Sequence, residues 1–245
     1  VSDRGGYGGR SLEPNEENLK LLSLVDIFEP LSGEEIASLS WRHLDTRLAG
    51  GEVFYTPMDL CETLFILKEG RVRIYRVSPE GRQFTVAVLP GGTVFGEMAL
   101  TSQRLRGSFA EAMEPSLIST MCRADVERLV LQRPRVGLQI INLLSDRLAE
   151  YEVRMEDISL KEVPERLASL ILMLIESQGI RTSEGYKIPT RYTHQHLSSM
   201  IGSNREAVTR ALRQLTEAGA VEVRRRLIHA RDLDGLRSFA GSPED

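Results

Sequence analysis

The stretch Thr193-His-Gln-His-Leu-Ser-Ser-Met-Ile-Gly-Ser-Asn-Arg-Glu-Ala-Val-Thr-Arg-Ala-Leu-Arg-Gln-Leu215 constrains the fold of this chain more tightly than any other. Thr193 has the side chain to cap a short helix, and Gly202 is the residue type that ends one. Ser203 follows as the expected cap of a second helix, with Glu206 three residues on in capping-box spacing. In that second helix Val208, Ala211, Leu212 and Leu215 share one face. Arg205, Thr209 and Arg213 recur at i, i+4, i+8 on another, with Glu206 and Arg210 beside them. Two short helices about a glycine turn, the second apolar inside and basic outside, describe a helix-turn-helix.

The residue types on the outer face suit a base-reading task. An arginine fork donates two hydrogen bonds to guanine O6 and N7, and a glutamate accepts from cytosine N4. Arg205, Glu206 and Arg210 occupy the first two turns, the end of such a helix that enters a major groove. Beyond it, Val221-Glu-Val-Arg-Arg-Arg-Leu-Ile228 reads as a two-stranded wing. Thr193, Ser203, Thr209 and Arg213, with Arg224, Arg225 and Arg226 of the wing, are the candidate phosphate contacts, which add affinity without sequence information. The charge distribution agrees. The window 187–231 holds nine basic and three acidic residues, a net of +6, whereas the rest of the chain carries −10 within an overall −4.

Upstream the periodicity changes. Residues 1–15 are glycine-rich and polar and read as a disordered tail. Residues 16–48 carry helical patches, with Leu19, Leu22 and Val25 at helical spacing and a capping box in Ser32-Gly-Glu-Glu35. From Gly50, apolar residues alternate (Val72, Ile74; Phe84, Val86, Val88) between turn signals at intervals of about ten residues, which predicts a β-jelly roll over 50–122. Ile141, Leu144, Leu148, Tyr151, Met155 and Ile158 then step by 3, 4, 3, 4, 3. That is a heptad seam for two-fold pairing, its alternative a core helix within one chain. After a break at Glu162-Val-Pro164, Leu167, Leu170, Ile171, Leu174 and Ile175 line another helix. The domain expectation is a tail over 1–15, a sensor roll over 16–133, a dimerisation helix over 134–160 and a winged helix-turn-helix over 161–245.

Composition removes several classes of function. With 41% hydrophobic and 27% charged residues among 245, the chain has the make-up of a folded soluble protein. No apolar run approaches a membrane span and no export signal is visible, so the expected location is cytoplasmic. The histidines are His43, His194, His196 and His229, none of them within 50–122, which argues against a metal-dependent jelly-roll enzyme. His194 and His196 stand two apart and do not face each other, so no metal site is expected. Cys61 and Cys122 are too few for an iron–sulfur cluster. Haem ligation by Cys61, Cys122, His43 or a methionine stays open, with burial in the roll the expectation for both cysteines. Neither a nucleophile elbow nor a phosphate-binding glycine loop before a helix occurs, and no catalysis is expected.

From about residue 20 to 237 the arrangement resembles the CRP/FNR family of bacterial transcription regulators. The strongest pieces are Leu64-Phe-Ile-Leu-Lys-Glu-Gly-Arg-Val-Arg-Ile-Tyr75, Gly92-Thr-Val-Phe-Gly-Glu-Met-Ala-Leu100, the heptad helix and Ile201-Gly-Ser-Asn-Arg-Glu-Ala-Val-Thr-Arg210. The resemblance implies an α+β homodimer: cyclic-nucleotide-binding-type β-rolls, a long dimer helix, and a winged helix-turn-helix on palindromic double-stranded DNA. Arg205, Glu206 and Arg210 match the family's Arg-Glu-x3-Arg set, which implies TGTGA-like half-sites one helical turn apart. RNA polymerase is a further implied partner.

For an effector the resemblance points two ways. Against the cyclic AMP-binding members, Gly96 and Glu97 match the ribose-holding pair and Arg106 matches the phosphate-holding arginine. Gly107 stands at the serine position, and Tyr151-Glu152 replace the adenine-reading Thr-Ser pair. The stretch Arg82–Gly96 also resembles the NtcA-like nitrogen regulators, which sense 2-oxoglutarate; their effector-holding residues fall at Arg106, Arg147 and Glu152. Glu97 stands where those proteins are apolar, and it would repel a dicarboxylate. Three readings stay open at this point: gating by a small anion such as cyclic AMP or 2-oxoglutarate, DNA binding without an effector, and a cyclic-nucleotide-binding signalling subunit that does not touch DNA.

Overall fold

The computed structural model describes residues 16–40, 45–58, 63–96 and 107–241. The chain divides into two compact units, residues 1–77 with 86–146 and residues 78–85 with 147–245.

The first unit is a roll of two four-stranded antiparallel sheets. One sheet has the order β1-β8-β3-β6, from Thr46–Leu48, Ser116–Cys122, Thr63–Glu69 and Thr93–Phe95. The other has the order β2-β7-β4-β5, from Val53–Tyr55, Ser108–Ala112, Arg71–Val77 and Gln83–Pro90. The run Leu64-Phe-Ile-Leu67 is apolar without alternation because β3 is covered on both faces. Phe65 and Leu67 join Val72, Ile74, Phe95, Ala110 and Ile118 in one core. Leu64 and Ile66 meet Leu22, Val25, Phe28, Ile36, Met121 and Val126 in a second. That second core is closed by helices: α1 (Glu16–Ser23), a 3₁₀ turn (Asp26–Phe28), α2 (Gly33–Ser40), α3 (Arg123–Gln132) and the start of α4 (Pro134–Leu160).

Side-chain periodicity of two sends neighbouring residues of a strand to opposite cores, which is why a fully buried strand loses its polar alternation. Phe65 and Phe95 stack at 4.9 Å within the first core. Gly70, which joins β3 to β4, has φ +87°, and a Cβ there would fall on Ser116 Oγ and on backbone of Pro115 and Ser116. Only glycine makes this turn without strain. The capping box of α2 is present, with Ser32 N–H donating to Glu35 at 2.7 Å and Glu35 N–H to Ser32 Oγ at 3.3 Å.

Two buried cations in the roll were not foreseen. Lys68 donates to Asp45 at 2.7 Å, and Ser119 Oγ donates to the same carboxylate oxygen. Burial pushes the Lys68 ammonium below its ordinary range, opposed by Asp45. Arg73 lies 4.2 Å over the Tyr75 ring and 3.8 Å from Glu111, its cross-strand partner. The expected burial of both cysteines fails for Cys122, which is exposed at the N-cap of α3 with its thiol 3.1 Å from Asp125. Cys61 lies outside the described residues, as do the 1–15 tail and His43.

The second unit is built on α5 (Val163–Gln178), whose Leu167, Ala168, Leu170, Ile171, Leu174 and Ile175 are buried. Glu162 N–H donates to Glu165 at 2.7 Å, and Pro164 sits in the first turn, where its missing N–H costs nothing. The polar stretch after α5 forms a hairpin of β9 (Ile180–Thr182) and β10 (Gly185–Lys187). It completes a four-stranded sheet of order β11-β12-β10-β9 with Val221–Arg224 and Leu227–Ala230. Helices α6 (His194–Met200), α7 (Arg205–Glu217) and α8 (Leu233–Phe239) complete the unit. Among the described residues no helix is long and apolar enough to cross a membrane.

Candidate nucleic-acid interface

The turn between α6 and α7 follows from its caps. Thr193 Oγ1 accepts from His196 N–H at 3.0 Å and starts α6. Gly202, at φ +62°, reverses the chain, and Ser203 N–H donates to Ser198 O at 2.9 Å. The expected cap Ser203 is displaced by one residue. Asn204 is the N-cap of α7, its Oδ1 accepting from Ala207 N–H at 2.8 Å. The amide of asparagine reaches the third helical N–H from one position later than the serine assigned from sequence, so Ser203 belongs to the turn and Glu206 is not its capping-box partner.

With that start, α7 buries Val208, Ala211, Leu212 and Leu215 and leaves Arg205, Glu206, Thr209, Arg210 and Arg213 exposed. Among the described residues no ion pair engages Arg205, Glu206 or Arg210, whereas Arg213 is held by Glu217 at 2.7 Å. Thr209 Oγ1 donates to Arg205 O at 2.9 Å and lies 2.8 Å from His194 Nδ1, so its hydroxyl ties α7 to α6. Arg210 also lines a surface cavity of about 380 Å³ with Glu162, Pro164, Arg166 and Gln214.

In the wing the three arginines separate. Arg224, the last residue of β11, bonds Glu222 at 2.5 Å and Glu184 at 3.1 Å. Arg231 bonds the same two carboxylates, at 2.6 and 3.2 Å. The hydrogen bond from Arg224 holds the Glu222 carboxyl below the usual range. Arg225 and Arg226 form the two-residue turn between the paired Arg224 and Leu227, both left-handed at φ 50° and 66°. Glu184, in the β9–β10 turn, is the residue that sequence reasoning missed; the signal was the Ser183-Glu-Gly185 turn, whose glycine lies at φ +119° with no room for a Cβ beside Ala230 O.

Helix α4 is unusual for its length. Of its 27 residues only Val136 is buried, and the seam residues Ile141, Leu144, Leu148, Tyr151, Met155 and Ile158 are all exposed. An apolar groove of about 770 Å³ runs beside its first half, lined by Val130, Leu131, Leu138, Ile141 and Leu144 among others.

Residues 45–133 match the cyclic nucleotide-binding domain family and residues 165–239 the Crp-like helix-turn-helix domain family. The chain is 31% identical over 216 residues to the cyclic AMP receptor protein of Thermus thermophilus, covering 87% of this chain and 96% of that protein. It belongs to the CRP/FNR family of DNA-binding transcription regulators.

This CRP/FNR regulator is also 30% identical to the global nitrogen regulator of Synechococcus elongatus, over 73% of the chain and 81% of that protein. Among solved structures, a CRP-family transcriptional regulator of Thermus thermophilus superposes with a TM-score of 0.69 at 26% identity, over 82% of this chain and 98% of that one. A CooA mutant from Carboxydothermus hydrogenoformans shares the fold at a TM-score of 0.75 and 24% identity, over 91% and 99% of the two chains. The relatives are transcription regulators rather than enzymes.

Of the effector residues expected in this CRP/FNR chain, Gly96 has φ +84°, and a Cβ there would lie 2.8 Å from Thr63 O and 3.1 Å from the Phe65 ring. Gly107 is also left-handed, at +67°, and faces open space. Arg147 is half-buried on α4, and Tyr151 and Glu152 are exposed there. Glu97 and Arg106 lie outside the described residues.

Proposed function

We propose that two copies of this regulator pair along α4 and set their α7 helices into successive major-groove turns of a palindromic site. The observation that carries this reading is the pairing of two exposed surfaces. One is the apolar heptad row of α4, whose side chains are exposed; the other is a capped helix whose Arg205, Glu206 and Arg210 have no ion pair among the described residues. A heptad repeat of this period is the pattern of helix-on-helix pairing. A twofold dimer of such helices reads half-sites about 34–36 Å apart. In this reading Arg205, Glu206 and Arg210 contact base edges of TGTGA-like half-sites, Thr193, Ser203 and Arg213 hold phosphates, and the wing lies against the duplex beside them. Residues 16–133 are the sensor, 134–160 the pairing helix and 161–245 the DNA-binding part, acting in the cytosol with RNA polymerase.

The sensor is gated by a small anion. Supporting this is the family of residues 45–133, the cyclic nucleotide-binding domain. The names of two relatives give the candidates: one is a cyclic AMP receptor protein, and the other regulates nitrogen, the role of the 2-oxoglutarate-sensing regulators that residues 82–96 resemble. A ligand moves the equilibrium only by its differential affinity for the two states of the dimer. Calorimetric titration with cyclic AMP and with 2-oxoglutarate tests this, together with DNA affinity measured with and without each. Gating predicts one binding ligand that raises DNA affinity; unchanged affinity under both overturns it in favour of effector-independent binding.

A further inference from the structure

A β-hairpin with a two-residue turn in which both central residues are left-handed is ordinarily made by Asn-Gly, because that pair carries the least penalty at positive φ. Here the two positions are Arg225 and Arg226, at φ 50° and 66°. Backbone strain of this kind persists where the side chains are put to use.

The charge pattern narrows the use. At the stem, Arg224 and Arg231 are matched by Glu222 and Glu184, so the stem is rigid and close to neutral. At the tip both guanidinium groups are exposed and, among the described residues, have no ion pair. The wing therefore concentrates its free positive charge at one point, on two adjacent planar groups. Tracking a row of phosphates would favour cations spread along the strands, and a point charge such as lysine would serve as well. Two thin guanidinium planes on a narrow turn fit a different target. The minor groove is about 6 Å wide, and in A·T tracts it narrows further and its negative potential deepens, which draws arginine in.

We propose that Arg225 and Arg226 enter the minor groove flanking each half-site and select narrow, A·T-rich flanks. The inference rests on the DNA-binding reading above. It adds a specificity determinant outside the bases that α7 contacts.

The test uses the full-length protein and the core site it selects from a random duplex pool. That core is placed between A·T-tract flanks, G·C flanks, and A·T flanks with adenine replaced by 2,6-diaminopurine, which puts an amino group in the minor groove and leaves the major groove edge unchanged. The wild type is expected to bind the A·T-flanked site at least about fivefold more tightly than the other two, the low end of the cost of one disfavoured base pair. R225K/R226K is expected to keep its salt dependence but lose the flank preference. R225N/R226G is expected to lose the flank preference and to show a shallower salt dependence, while unfolding no earlier than the wild type. Equal wild-type affinity for the three flanks, or a preference retained by the lysine pair, overturns the proposal. A pool that yields no bound sequence at all overturns the DNA-binding reading beneath it.

Discussion

Replacing Leu148 by glutamate tests the pairing of α4 at its centre. Leu148 is 59% exposed in the single chain. Burying a whole leucine side chain contributes about 1.5–3 kcal/mol. Covering the exposed part is therefore worth about 1–2 kcal/mol per copy and about 2–4 kcal/mol per symmetric dimer. The Leu148→Glu variant forfeits that contribution and sets two carboxylates near the twofold axis, which adds like-charge repulsion. At about 1.4 kcal/mol per tenfold, dimerisation weakens by about 30- to 1,000-fold before the repulsion is counted. Sedimentation equilibrium across a concentration series reads this directly: the wild type at twice the 27.5 kDa chain mass, the variant shifting towards the single mass. Thermal unfolding of the roll should move little, because Leu148 is not among the residues of either buried roll cluster. A wild type that sediments as a monomer at micromolar concentration, or a variant as dimeric as the wild type, would refute the reasoning.

Arg205→Ala should cost about 1–3 kcal/mol at the cognate site and relax preference at the base pair it reads, measured by competition against single-base variants of the site. Asn204→Ala should destabilise the C-terminal unit by about 0.5–2 kcal/mol in urea unfolding, while Ser203→Ala stays within about 0.5 kcal/mol; the reverse order would restore serine as the cap. Because the folded-state value of Glu222 is depressed, its ion pairs with Arg224 and Arg231 stabilise the wing fully above the ordinary carboxyl value of 4.5 and are lost as pH falls through the folded value. Amide exchange across β11 and β12 should accelerate in that acid window, and Glu222→Gln should reduce the pH dependence.

Much of the fold can be read from local pattern. The heptad of α4, the apolar face of α7 and the alternation in β4 are each set by neighbours three, four or two residues away, and the elements lie where those periods place them. The one-residue error at Ser203 arose because serine and asparagine are both good caps; the choice depends on the turn that Gly202 and the Ser203–Ser198 bond impose. The hairpin over 180–187 escaped because its strands are three residues long and mostly polar, and they form only against β12.

The sequence by itself determined the helix-turn-helix, the exposed arginines of α7, and the apolar heptad row of α4, since propensity, capping and periodicity are properties of contiguous residues. Tertiary structure decided which charges remain available. Arg224 and Arg231 are neutralised by Glu222 together with Glu184, some forty residues upstream in sequence, while Arg225 and Arg226, on a strained turn, have no ion pair among the described residues. It also decided that Lys68 is buried against Asp45. Ion pairing is set by distance in space, and distance in space between remote segments is fixed only once the strands are in register.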